Sequence, residues 1–171
     1  MKLYLTGLFL VFLAVCAVGA QVSAPATTKK NKPAPPFEVT SLTGKTFKLE
    51  DLKGKYVVLN FWFIHCPPCL KEIPKLNQLV TAYGKGNFVF IAFALDNKYE
   101  LESFLKQKPF TYNIIPKGLS MALKYNTEGT GRVGFPTHVV IDPNGDIEFR
   151  SEGSEGLGPL QKELKRLAAL K

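Results

Sequence analysis

The sequence predicts one α/β domain: a central mixed β-sheet with helices on both faces and a small β-hairpin at its N-terminal end. Three observations carry this. Residues 56–63 and 87–95 are nearly unbroken apolar runs rich in Val, Ile and Phe, as strands covered on both faces are. Each is followed by a segment with helical spacing, as in parallel strands joined by crossover helices. Residues 136–142 and 147–150 flank Pro143-Asn144-Gly145-Asp146, a strong turn signal, and so form a closing antiparallel pair. A chain of 171 residues, 46% hydrophobic and 21% charged, has material for one such core.

The elements follow in order. Lys2, an apolar run over residues 8–18 and the small residues Val18-Gly19-Ala20 have the layout of a secretory signal. The run is shorter than the about 20 residues a membrane-spanning helix needs. Residues 1–20 are therefore read as a signal peptide cut after Ala20. Two other outcomes stay open: a lipid on Cys16, although Val15 departs from the small residue expected before a lipidated cysteine, and an uncleaved anchor. Residues 21–36, rich in Ala, Thr, Lys and Pro, read as a flexible tether, and residues 37–171 as the folded domain. Residues 37–39 and 46–49 bracket Gly44 as a hairpin, and residues 50–54 form a short helical turn closed by Gly54. After the first long strand, Pro67 suits the first turn of a helix. Leu70, Ile73, Leu76, Leu79, Val80 and Tyr83 give that helix one apolar face to about residue 84. A second helix starts at Asp96-Asn97 and stops before Pro109, with Leu101, Phe104 and Leu105 inward. A short strand (112–115) and a short helix (119–125) with Met121 and Leu123 as core candidates come next, then a loop (126–134). Leu157, Leu160, Leu164 and Leu167 mark a final amphipathic helix.

Chemistry concentrates where the first long strand meets its helix, in Val57-Val58-Leu59-Asn60-Phe61-Trp62-Phe63-Ile64-His65-Cys66-Pro67-Pro68-Cys69. Two cysteines three residues apart at a helix start can close a disulfide. The unpaired N–H groups and positive end of the helix favour thiolate over thiol at Cys66. With Cys16 removed, Cys66 and Cys69 are the mature chain's remaining cysteines. A bridge across so short a loop restricts the unfolded chain little, so the pair argues for chemistry rather than stability. No second Cys-x-x-Cys pair completes a structural zinc site, so no metal and no cofactor are expected. The net charge of +8, or +7 once Lys2 is removed, fits an acidic partner, a membrane surface or simply a wet Lys-rich face. No basic stripe interleaved with aromatics points to nucleic acid.

Three stretches carry a family resemblance: NFWFIHCPPCLKEIP at 60–74, GFPTHVVID at 134–142, and PAPPFEVTSLTGKTFKLEDLKGK at 33–55. They resemble the thioredoxin superfamily and, within it, the TlpA/ResA-like extracytoplasmic thiol–disulfide oxidoreductases. The resemblance implies a thioredoxin-like fold and a redox disulfide between Cys66 and Cys69. Cys66 matches the exposed attacking cysteine and Cys69 the more buried resolving one. Pro136 matches a cis-proline facing the pair, a bond type that only proline forms at low cost. Glu72 matches a glutamate behind the cysteines, and Trp62 the aromatic before the active-site turn.

Two positions depart from the pattern. Asn60 stands where cytoplasmic thioredoxins carry a buried aspartate, which passes the proton-moving duty to Glu72 or water. His65 replaces the usual tryptophan. It is either a tuning group that stabilises the Cys66 thiolate or a solvated loop residue. Pro67 and Pro68 join it as residues setting the sulfurs' properties. His138, on the strand after Pro136, faces core or solvent and is read as structural.

By resemblance the protein reduces disulfides of secreted or periplasmic cysteine proteins, for example apocytochrome c. A membrane thiol-reductant conductor supplies the electrons outside the cytoplasm, and nothing in the sequence demands more than a monomer. A disulfide oxidase or isomerase stays open, because direction follows potential rather than motif. So does a peroxiredoxin-like thiol peroxidase, although that chemistry needs Thr-x-x-Cys and Phe63 stands at the threonine position. A binding module with incidental cysteines is the remaining alternative.

Overall fold

The computed structural model of the chain describes residues 32–125 and 133–170. Residues 1–31, where the readings of a signal peptide, of Cys16 and of most of the tether fall, and most of the 126–134 loop lie outside the described residues.

The described residues form eight strands and four α-helices: β1 (Lys32–Pro33), β2 (Glu38–Thr40), β3 (Thr46–Lys48), β4 (Tyr56–Trp62), α1 (Pro67–Tyr83), β5 (Phe88–Ala94), α2 (Lys98–Gln107), β6 (Asn113–Ile115), α3 (Leu119–Tyr125), β7 (Thr137–Ile141), β8 (Asp146–Glu152) and α4 (Leu157–Ala168). The six-stranded sheet runs β1-β8-β7-β4-β5-β6, and β2-β3 form the separate hairpin. β4 is parallel to β5 and antiparallel to β7, and β5 is parallel to β6. The sheet is mixed, as the sequence predicts, and its central strand delivers Cys66.

Alternation along the strands separates two cores. Val58 and Trp62 of β4 face the layer of α1 and α4, packed with Ile73, Leu76, Leu160 and Leu164. Val57, Leu59 and Phe61 face the opposite layer, with Phe37 and Phe47 from the hairpin end and Met121, Ala122 and Tyr125 of α3. α2 starts on a capping box: Asn97 Oδ1 accepts the Tyr99 and Glu100 N–H groups, and Glu100 Oε2 accepts the Asn97 N–H. Gly145 takes φ +95° in the closing turn, a left-handed conformation suited to glycine.

Two expectations are corrected. The tether does not reach residue 36. Lys32 and Pro33 pair with Ile147 and Asp146, the Ala34 N–H donates to the Gly145 carbonyl, and the Tyr125 hydroxyl donates to the Pro35 carbonyl at 2.7 Å. Pro/Ala-rich composition reads as a linker, yet proline is tolerated on an edge strand, where it forfeits no central ladder bond. Leu123 is not a core residue but is half exposed. At about 100° per residue it lies opposite Met121 and Tyr125, which face the sheet.

Candidate active site

β4 ends at Trp62, and four residues carry the chain to the start of α1. This turn is fixed by the Ile64 N–H, which donates to Asp96 Oδ2 at 2.8 Å, and by the Cys66 N–H, which donates to the Phe63 carbonyl. Cys66 is the N-cap of α1, and Pro67 and Pro68 fill the first helical positions, where proline's missing N–H costs nothing. Cys66 and Cys69 are joined as a disulfide with their Cα atoms 5.3 Å apart. The Cys69 N–H donates to Cys66 Sγ at 3.3 Å. A sulfur in that position receives a helix N–H and the positive end of the helix, the two influences that favour a thiolate once the bridge opens.

The expected exposure of Cys66 is not found. Cys66 is 3% exposed and Cys69 2%. Both belong to the core cluster beneath α1, against which Phe63, Ile64 and Phe135 also pack. The Phe63 and Phe135 rings meet edge-on at 5.3 Å. Spacing alone does not reveal this packing, because Phe135 comes from a distant segment. The Phe135–Pro136 peptide bond is cis. Gly153 donates its N–H to the Pro136 carbonyl at 2.8 Å, and the Thr137 hydroxyl donates to the Gly134 carbonyl, which fixes the proline loop.

Of the other residues singled out in the sequence, Trp62 is buried against Phe104 and Phe110, with ring centroids 5.7 and 5.4 Å away. His65 is exposed, in a groove with Asp96 and Glu100. Glu72, one turn beyond Cys69 on α1, is 5% exposed.

The arrangement missed by sequence reasoning lies behind Glu72. His138 is fully buried, opposite Asn60 in the β4–β7 register. Its Nε2 lies 3.0 Å from Glu72 Oε2 and its Nδ1 lies 3.2 Å from Asn60 Nδ2. Asn60, His138 and Glu72 thus form one hydrogen-bonded row under the disulfide helix. The signal available was parity: Asn60 sits between the inward-facing Val58 and Trp62. Nothing local says that β7 pairs beside β4 or brings His138 to the same place.

Tyr112 also borders this row. Burial, and after it the Glu72 charge, push its phenol well above the ordinary value near 10. Its hydroxyl has no hydrogen-bond partner among the described residues. In the folded state it holds its proton to higher pH than in the unfolded chain. Its contribution to stability is full below pH about 10 and is lost as pH rises from there toward the folded value. Tyr125, raised by burial, behaves in the same sense. Melting temperature is therefore expected to fall as pH rises above about 10 (the phenol's unfolded value), and Tyr112→Phe to reduce that fall. An equal fall in both proteins contradicts the assignment.

A sheet of this topology, with a disulfide at a helix N-terminus and a cis-proline leading into β7, defines a thioredoxin-fold thiol–disulfide oxidoreductase. Comparison with known proteins agrees. The model of the AhpC/TSA family matches residues 31–150. The chain is 33% identical over 166 residues to the thiol-disulfide oxidoreductase ResA of Bacillus thuringiensis subsp. konkukian, covering 92% of this chain and 93% of that one. It is 36% identical over 138 residues to ResA of Bacillus anthracis, covering 80% and 77%. Among solved structures it resembles a thiol:disulfide interchange protein of the thioredoxin family from Chlorobium tepidum TLS, with a TM-score of 0.67, 27% identity, and coverage of 78% and 96%. The chain belongs to the AhpC/TSA family, and it is an enzyme of the thiol–disulfide oxidoreductase class.

Proposed function

We propose that the protein works as a reductase of disulfides in exported proteins, with Cys66 as nucleophile and Cys69 as resolving thiol. The observation that carries this reading is the seat of Cys66 Sγ on the α1 N-terminus, with buried Glu72 one turn beyond Cys69. The Cys66 thiolate attacks one sulfur of a client disulfide, and the other client sulfur leaves as a thiolate that takes a proton from solvent. The Cys69 thiol then passes its proton to Glu72 and attacks Cys66 Sγ. The Cys66–Cys69 bond forms, the Cys66–client bond breaks, and the second client thiolate leaves. Two electrons move from the dithiol to the client, and the Glu72 proton returns to solvent. Pro136 shapes the wall opposite the sulfurs, and Cys66, 3% exposed in the disulfide form, becomes accessible when the client docks. His65, exposed beside Cys66, tunes its thiolate from the solvent side.

Export rests on the N-terminal segment and places the enzyme outside the cytoplasm, with a membrane thiol conductor as electron source and a cysteine-rich exported protein such as apocytochrome c as client. The test is the equilibrium potential of the Cys66–Cys69 couple against glutathione or a thioredoxin reference. A value near thioredoxin's roughly −270 mV supports the reductase reading. A value near roughly −120 mV, as in a strong oxidant, overturns it in favour of disulfide formation.

A further inference from the structure

The Asn60–His138–Glu72 row has a direction written into its atoms. Asn60 Nδ2 is a donor and lies against His138 Nδ1, which must therefore accept. A neutral imidazole with Nδ1 as acceptor carries its proton on Nε2. Nε2 then donates to Glu72 Oε2 at 3.0 Å. One carboxylate oxygen is thereby occupied, and the other, Oε1, is buried with no hydrogen-bond partner among the described residues.

Glu72 also lines a surface groove between the start of α1 and the start of α4, with Pro68, Lys71, Lys75, Ser154 and Leu157. Glu72 thus lies between a sealed histidine and a surface groove. The groups around the row are Asn60 on β4, His138 on β7, Cys69, Lys71 and Lys75 on α1, and Tyr112 ahead of β6. Ser154 and Leu157 face it from the α4 side, and Ser151 of β8, opposite His138, spends its hydroxyl on the Gly156 carbonyl.

We propose that His138 is a positioning residue of the dithiol reaction. Held in one tautomer by Asn60, it fixes Glu72 through Oε2 and leaves Oε1 as the oxygen that receives the Cys69 proton. The proposal rests on the reading of Glu72 as proton acceptor in disulfide reduction. A fixed acceptor matters for the resolving step, in which Cys69 must lose a proton as it attacks. It does not matter for the first attack, in which Cys66 is already a thiolate.

The test separates these steps in His138→Leu and His138→Gln. Alkylation of Cys66 in the reduced protein reads the first. Release of a thiol from a preformed mixed disulfide at Cys66 reads the second. His138→Leu is expected to slow release by about 10-fold or more at pH 7, with alkylation held within about 2-fold, and the deficit is expected to shrink as rising pH lets solvent take the Cys69 proton. His138→Gln still offers an N–H to Oε2 and is expected to recover release to within about 3-fold of the parent. Unchanged release in His138→Leu overturns the proposal, as does equal slowing of both steps, or no recovery in His138→Gln.

A measurement on the unaltered protein covers the case in which His138→Leu does not fold. With two histidines in the chain, nitrogen NMR of labelled imidazoles resolves the tautomer. A proton on Nε2 and none on Nδ1 of His138 is expected, and a proton on Nδ1 overturns the proposal. If the unaltered protein reduces no disulfide, the functional reading fails, whereas the tautomer result stands independently.

Discussion

Replacing Cys66 with Ala is expected to abolish reduction of insulin or a comparable disulfide substrate, a loss on the order of 1,000-fold or more, because the remaining site thiol, Cys69, lacks the N-cap seat that favours a thiolate and has no second thiol to complete turnover. Cys69→Ala is expected to have a different consequence. It keeps the nucleophile at the helix N-terminus and removes the thiol that releases it. Client proteins should then accumulate as covalent adducts of Cys66, recoverable from cells and dissolved by dithiothreitol. Substituting both cysteines should abolish turnover and adducts alike. The two sulfurs share one motif and one disulfide, yet they fail in opposite ways if their roles are as proposed. If Cys69→Ala traps nothing while Cys66→Ala accumulates the adducts, the roles are reversed.

The next largest effect is expected at Glu72. In Glu72→Gln the side chain keeps its size, and its carbonyl can still accept the His138 Nε2–H, so stability should change by no more than about 1 kcal/mol. It cannot take a proton. Resolution of the mixed disulfide is expected to slow about 100-fold at pH 7, while alkylation of Cys66 changes little. Raising the pH should narrow the gap, because Cys69 then ionises without help. Glu72→Leu differs in stability: it strands the fully buried His138 N–H, which costs about 1–3 kcal/mol in denaturant unfolding. A Glu72→Gln enzyme with unaltered release kinetics removes Glu72 from the mechanism.

Much of this protein is legible one segment at a time. The two apolar runs became β4 and β5 to within a residue or two, and the leucine spacing marked α1 and α4. Pro67 and the cysteine pair located the helix start that holds the disulfide. These features are local: period, capping and turn chemistry decide them. What was not legible depends on which segments meet. Cys66 was matched to an exposed cysteine because nothing in its own loop shows that it joins the core cluster beneath α1. Lys32 and Pro33 looked like linker because the β8 edge that pairs with them lies more than a hundred residues away. His138 looked merely structural because its partners, Asn60 and Glu72, come from a strand and a helix 78 and 66 residues distant. The polar row became visible only when the sheet register placed β7 against β4.

The central claim is that the Cys66–Cys69 dithiol delivers two electrons to a protein disulfide. Its most direct measurement mixes the fully reduced protein with an excess of an oxidised, exported cysteine protein, quenches with acid, and counts free thiols on both partners by mass. One Cys66–Cys69 bridge is expected to form for each client disulfide opened. A protein that stays reduced while the client disulfide persists would contradict that claim.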